Sequence, residues 1–308
     1  MKFVFLSGGT GTPKLLLGFR RLLDERNITV ITNPGDDWEW HGLYVSPDFD
    51  TVLYLFADQL DLKKFWGVKN DTFNALDVIK SLGGIQWFHI GDKDLGLHLW
   101  RSYLLSQGKS LTEISELIRK QWGIKALILP PTNGIVRTKI ITSDSVMDFQ
   151  EFWVKNKGRP EIVNIFYEKK NARITPIVKK ELLHADAIII GPSNPISSIT
   201  PILEVNEMRE ILSQIRTKVI AVSPFIGQSV FSGPAAKMMI AKGLIPSSEG
   251  LAKYLGEYLG SLIIHSKDHT MIKAISKFVP RVIATDTYLD TAEKQLNLAK
   301  IILGLLNK

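Results

Sequence analysis

The chain has 308 residues, a formal net charge of +7 and no cysteine. Its 45% apolar and 22% charged residues are the proportions of a globular protein, which excludes wholesale disorder and fibrous repeats. The lack of cysteine excludes disulfide scaffolds, thiol nucleophiles, Cys-ligated zinc and iron–sulfur clusters.

The first unit reads strand, glycine-rich turn, helix, strand. Lys2 to Leu6 is apolar and too short for a signal-peptide core, so it predicts a buried strand and a cytoplasmic chain. Ser7-Gly8-Gly9-Thr10-Gly11-Thr12 is the turn, and Pro13 suits the first turn of a helix carrying Leu15, Leu16, Phe19, Leu22 and Leu23. Ile28 to Thr32 is the second strand, which makes a βαβ start and predicts a parallel sheet. Asn33 to Pro47 has no clear period and reads as a long connection. Asp50 to Leu60 predicts a helix. A helix capped by Asp71 or Thr72 follows, then one beginning near Asp92 or Asp94. Ser110-Leu111-Thr112-Glu113 is a capping-box pattern. Lys125 to Leu129 reads as a strand, Val136 to Val154 as a hairpin and Lys155 to Thr175 as basic and irregular. Ala187 to Ile190, Lys218 to Val222, Leu262 to Ile264 and Val282 to Ala284 read as strands, and Leu289 to Leu306 as a closing helix. No apolar run approaches the ~18 residues of a membrane span.

The expected fold is α/β: a Rossmann-like three-layer sandwich with a mostly parallel sheet. Residues 1–129 and 181–308 form the core, and 130–180 form a smaller inserted α+β subdomain or lid.

The charge is unevenly distributed. Ten of 17 aspartates lie between Asp36 and Asp94, and five of seven tryptophans (Trp38, Trp40, Trp66, Trp87, Trp100) lie in nearly the same window. That concentration points to an active site rather than a nucleic-acid surface. The turn Gly8, Gly9, Thr10, Gly11, Thr12, with Lys14, is read as a phosphate cradle built on backbone N–H groups and a helix start, against a plain tight turn. It matches neither the dinucleotide nor the Walker A spacing. Asp36, Asp37, Asp48 and Asp50 suit Mg²⁺, or a general base on a hydroxyl, against turn and cap roles. Trp38 and Trp40 are either hydrophobic cover or a stacking face for a flat heterocycle. Lys93 and Asp94 sit in Gly91-Asp92-Lys93-Asp94, which also reads as a capped helix start. Ser193 and Asn194 follow one buried strand. Ser223 and Gly227 follow another, ahead of Ser232-Gly233-Pro234. Three such loops at matching strand ends argue for one crevice. The six histidines show no metal-ligand spacing and read as mostly structural.

These motifs, in this order, resemble the 2-phospho-L-lactate transferase family of deazaflavin coenzyme F-420 biosynthesis. The most specific stretches are Ser7 to Leu16, Ser46 to Tyr54, Phe65 to Phe73, Asp148 to Trp153 and Gly191 to Pro195. The resemblance implies transfer of the phospholactyl group from lactyl-2-diphospho-5'-guanosine to the ribityl hydroxyl of Fo (7,8-didemethyl-8-hydroxy-5-deazariboflavin). It also implies that GMP leaves, that Mg²⁺ assists and that the protein is a homodimer. Bacterial members use an enolpyruvyl donor. By the resemblance, Asp50 matches the Fo contact, with Asp36 and Asp37 beside it as catalytic residues. Mg²⁺ falls to Asp36, Asp37 and Asp50, and the remaining motif residues bind substrate. Lys93 stands where the family often has Arg, which replaces a bidentate fork with a point charge. The rival reading is a nucleotide-sugar-binding regulator of the gluconeogenesis-factor type. The run Asp36-Asp37-Trp38-Glu39-Trp40-His41-Gly42 argues against it. A nicotinamide dehydrogenase, nucleic-acid binding and membrane association are disfavoured.

Overall fold

The computed structural model describes residues 1–227, 229–230 and 233–306. Its centre is a sheet of seven parallel strands: β1 (Phe3–Ser7), β2 (Ile28–Thr32), β5 (Leu127–Leu129), β9 (Ala187–Ile190), β10 (Val219–Val222), β13 (Ser261–His265) and β14 (Arg281–Thr285). The spatial order is β14-β13-β10-β9-β1-β2-β5. β1, β2, β9, β10 and β13 are buried along their whole length. That burial explains why they read as continuous apolar runs rather than alternations. Alternate side chains enter opposite layers. Val4, Leu6, Ile188 and Ile190 pack with α6 (Pro176–His184) and α8 (Met208–Gln214). Phe3, Phe5, Ala187 and Ile189 pack with α1 (Gly11–Phe19), α2 (Pro47–Phe56), α5 (Leu111–Gln121) and α12 (Ala292–Leu305). The result is the expected three-layer α/β sandwich.

The chain builds outward from β1 through β2 to β5, then returns to place β9 on the other side of β1. The loops after β1 and β9 therefore diverge from a topological switch point, where open α/β sheets form their ligand crevice.

Three smaller elements surround that edge. The first is a hairpin of β3 (Trp38–Trp40) and β4 (Leu43–Val45), turned at His41 and Gly42, both with positive φ. The Asn33–Pro47 connection thus contains a strand pair too short to show a period in sequence. The second is an antiparallel sheet of β6 (Ile135–Ile141), β7 (Val146–Asp148) and β8 (Asn164–Lys170), with β6 central. β6 and β7 are the predicted hairpin. β8 falls in the stretch read as irregular, because it is mostly exposed, ends in the charged run Glu168-Lys169-Lys170 and buries only Ile165. Ile140, Phe152 and Ile165 share one core with the main sheet. The third is the pair α3 (Asn74–Ser81) and α4 (Asp92–Ser106). Between β13 and the N-terminus of α12 the chain adds α11 (Ile272–Ile275) and β14, whose register with β13 runs from Ser261↔Arg281 to His265↔Thr285.

Candidate active site

The N-terminus of α1 opens the site. Thr10 precedes the helix and makes no side-chain cap, so the first N–H groups have no capping side chain. The loop is held from below: Gly8 N–H donates to Ser193 Oγ at 3.2 Å, and Thr12 Oγ1 lies 2.8 Å from the same oxygen. Glycine is required at two positions by close approach. A Cβ on Gly11 would lie 1.9 Å from the Pro192 carbonyl, and one on Gly9 would lie 2.2 Å from Asp48 Oδ1.

Gly9, Thr10 and Gly11 line a cleft of about 560 Å³ with Asp36, Asp48, Asp50, Asp94, Ser193 and Asn194. The same cleft is also lined by aromatic side chains: Phe65, Trp66, Trp87, Phe88, Phe149 and Trp153. Trp38 and Trp40 are not part of it. They are buried with Val45, Leu76 and Ile90 in a separate small core, and Trp38 stacks on Trp87 with centroids 5.0 Å apart. They are cover, and Trp87 behind them reaches the cleft.

The carboxylates fall into two chemically different groups. Asp36 and Asp48 are buried, and burial pushes Asp36 well above the ordinary carboxylate range, with the neighbouring Asp48 charge adding to it. Burial raises Asp48 to about 7, against hydrogen bonds from Asn33 and the Gly9 backbone. Asn33 Nδ2 donates to Asp48 Oδ2 at 2.9 Å, whereas Asp36 Oδ1 is buried with no partner. An orphaned carboxylate oxygen beside a second buried carboxylate is a costly arrangement that a hard cation with oxygen ligands relieves. These two residues therefore fit Mg²⁺. Asp37 faces away from the cleft. Its oxygens accept from Ser46 Oγ at 2.5 Å and Tyr44 Oη at 2.6 Å, and burial raises it to about 7.

Asp50 belongs to the second group. It is paired with the Arg101 guanidinium, one arm at 3.0 Å and the other closer still, and both residues are buried. Arg101 also lies over the Phe49 ring. His98 sits beside the pair, with Nδ1 3.5 Å from Asp50 Oδ2 and Nε2 3.2 Å from Asp94 Oδ1. Tyr54 Oη donates to Asp94 Oδ1 at 2.5 Å. Burial works against ionisation of Asp94, but His98, Tyr54 and Arg101 outweigh it and hold Asp94 below its ordinary value.

Arg101 and His98 were absent from the sequence-derived set. The signal was present: Asp94, His98 and Arg101 are spaced i, i+4, i+7, which puts them on one face of α4. Asp50 and Tyr54 are i, i+4 on α2. Neither spacing identifies a site until the two helices are known to face each other.

The remaining predicted residues lie behind or beside the cleft. Lys14 holds its ammonium 4.9 Å from the centroid of Phe65, a lining residue. Lys93 is exposed and donates to the Asn70 carbonyl at 3.0 Å. Ser223 is buried against Ser248 Oγ at 2.8 Å, and Gly227 N–H donates to Asp268 Oδ1 at 2.7 Å. Those two brace the loop after β10, whose Pro224 reaches the cleft together with Gly233 and Pro234. Ser232 lies outside the described residues.

The family model for "2-phospho-L-lactate transferase CofD" matches residues 3–300. The chain belongs to this family. A 2-phospho-L-lactate transferase of Methanosarcina acetivorans is 42% identical over 303 residues, 98% of each chain. That of Methanosarcina mazei is 40% identical over 300 residues, covering 97% of this chain and 98% of its own. That of Methanocaldococcus jannaschii is 41% identical over 305 residues, covering 97% and 96%. Two crystal structures of a Bacillus halodurans protein, one described as a UPF0052 family member, share the fold. Their TM-scores are 0.64 and 0.67 at 14% and 15% identity, covering 98% of this chain and 99% and 100% of theirs. The chain is thus a transferase of 2-phospho-L-lactate by family, and the binding-only reading gives way. Among the described residues no helix is long and apolar enough to cross a membrane.

Proposed function

We propose that this transferase moves the 2-phospholactyl group from a guanylylated diphosphate donor onto the ribityl hydroxyl of Fo, with release of GMP. The observation that carries this reading is that one cleft is lined by two chemically different sets of groups. The uncapped start of α1 with Gly9, Thr10 and Gly11 suits a diphosphate. Phe65, Trp66, Trp87, Phe88 and Trp153 in the same lining suit a flat three-ring acceptor.

Phosphoryl transfer depends mainly on positioning and charge stabilisation. The backbone N–H groups of the glycine loop would hold the donor's phosphate oxygens, with Lys14 adding charge from the rim. Ser193 and Asn194 would face the nucleotide side. Asp36 and Asp48 would hold Mg²⁺, which neutralises charge on the diphosphate when bound. Asp37 keeps the hairpin turned toward the site through Tyr44 and Ser46. Asp50, held ready by Arg101, would meet the acceptor. A cytoplasmic homodimer belongs to the same proposal.

The test is direct. The purified chain with Mg²⁺, Fo and the guanylylated phospholactate should release GMP and a phosphodiester of Fo, followed by chromatography. A folded protein that turns over neither this donor nor its enolpyruvyl analogue would overturn the reading.

A further inference from the structure

The acceptor hydroxyl must lose a proton as its oxygen bonds to phosphorus. Asp50 and three groups near it compete for that role, and their hydrogen bonds separate them. Both oxygens of Asp50 already accept from Arg101. Tyr54 Oη keeps its proton and donates it in a hydrogen bond to Asp94 at 2.5 Å. Asp94 accepts from Tyr54 and from His98. His98 remains. It is 2% exposed, lines the cleft, and its Nδ1 has no hydrogen-bond partner. A neutral ring that donates from Nε2 to Asp94 keeps its Nδ1 lone pair free. That lone pair faces an Asp50 oxygen at 3.5 Å. Two acceptors facing each other leave a place for a donor, and a hydroxyl seated beside both would donate to Nδ1.

We propose that His98 is the general base of the transfer, with Asp94 fixing its tautomer and Tyr54 fixing Asp94. The inference rests on the reading that the acceptor is a hydroxyl. The O–H bond of the acceptor breaks and its proton moves to Nδ1. A new P–O bond forms to the acceptor oxygen as the bond from that phosphorus to the bridging oxygen breaks. The bridging oxygen leaves on GMP with the bonding pair, and the imidazolium returns its proton to solvent. The charged groups around the ring are Asp50, Asp94 and Arg101, with Tyr54 beside them. Asp94 stabilises the imidazolium through Nε2, the arrangement that activates nucleophiles in base–carboxylate dyads.

The test compares wild type, His98→Gln and Asp94→Asn in GMP release, with donor binding by calorimetry and folding by thermal melts. His98→Gln should lower kcat by about 100-fold or more. KM for both substrates should stay within about threefold of wild type. Asp94→Asn replaces the acceptor at Nε2 with an amide that can donate, which moves the ring proton to Nδ1. It should lower kcat at least about tenfold with donor affinity kept. It carries the test by itself if His98→Gln does not fold. Near-normal kcat in a folded variant overturns the assignment of His98 alone. Absence of GMP release by the wild type overturns the acceptor reading and this inference with it.

Discussion

Arg101 is the residue that holds the Asp50 carboxylate in place beside the cleft. It is 1% exposed and its partner Asp50 3%, so both charges are removed from water. Replacing Arg101 with Met keeps the volume but leaves a buried carboxylate without its partner. The expected cost is about 3–5 kcal/mol, measured by urea unfolding, and a second change, Asp50→Asn, should restore much of it. A single mutant as stable as wild type would show that Asp50 is hydrated or otherwise compensated. Asp50 itself was legible in sequence because Pro47-Asp48-Phe49-Asp50 holds more carboxylates than a helix start needs. Arg101 and His98 were not. A helical face bearing Asp, His and Arg is ordinary on a surface, and only burial against α2 turns it into a site.

Two helices of the aspartate-rich window cap each other. Asp92, in the first turn of α4, accepts from the backbone N–H of Asn74 at 3.1 Å and of Ala75 at 2.9 Å, at the start of α3. Asp71, just before α3, accepts from the N–H of Lys93 at 2.9 Å and of Asp94 at 3.2 Å. This exchange explains why neither α3 nor α4 has a cap of its own, and it fixes Asp94 at the cleft. The sequence points to Asp71 or Thr72 as a local cap of α3, but Thr72 donates its hydroxyl to Asp92 and Asp71 turns to the other helix. Asp71 caps α4 instead, because capping across a gap of some twenty residues leaves no local pattern. The Ser110–Glu113 capping box was legible for the opposite reason, since both partners lie within one turn. Asp92 also gives a pH signature. Hydrogen bonds from the Thr72 hydroxyl and the Ala75 N–H lower it from 3.8 to about 2. A depressed carboxyl stabilises the fold above its unfolded value and loses that contribution as pH falls toward the folded one. Asp92→Ala should therefore lower Tm at neutral pH. The gap to wild type should narrow between about pH 4 and pH 2, read by thermal melts. A gap constant across that range would remove the capping role.

At the scale of the whole molecule, the sheet order explains the crevice. β1 and β9 are neighbours in space but 180 residues apart in sequence, paired from Phe3↔Ala187 to Leu6↔Ile190. Their loops meet where Thr12 and Gly8 share the Ser193 hydroxyl. The apolar runs and the turn after β1 made this much readable in advance. The partition of the acidic residues was not readable. Four aspartates in one loop pair look equivalent until packing gives one an arginine, one a tyrosine and a serine, one an asparagine, and leaves an oxygen of the fourth without a partner.

That partition predicts how ligand binding feeds back on the fold. On the proposed reading, Mg²⁺ together with a diphosphate donor would bind the native state only and should raise stability by about 2.7 kcal/mol at a ligand concentration 100 times Kd. Most of the Mg²⁺-dependent part should pass through Asp36, whose buried Oδ1 has no partner. Asp36→Asn removes that carboxyl group and halves the local carboxylate pair. Without ligand it should be at least as stable as wild type, since the carboxyl removed was desolvated and had one oxygen without a partner. With donor present, adding Mg²⁺ should shift Tm by several degrees for wild type and scarcely at all for the variant, measured by differential scanning fluorimetry. Asp37→Asn serves as the contrast, because Asp37 is spent on Tyr44 and Ser46: it should keep the Mg²⁺ shift while lowering the baseline Tm. An Mg²⁺ shift that survives Asp36→Asn but vanishes with Asp37→Asn would reverse the assignment and move the cation to the far side of the hairpin.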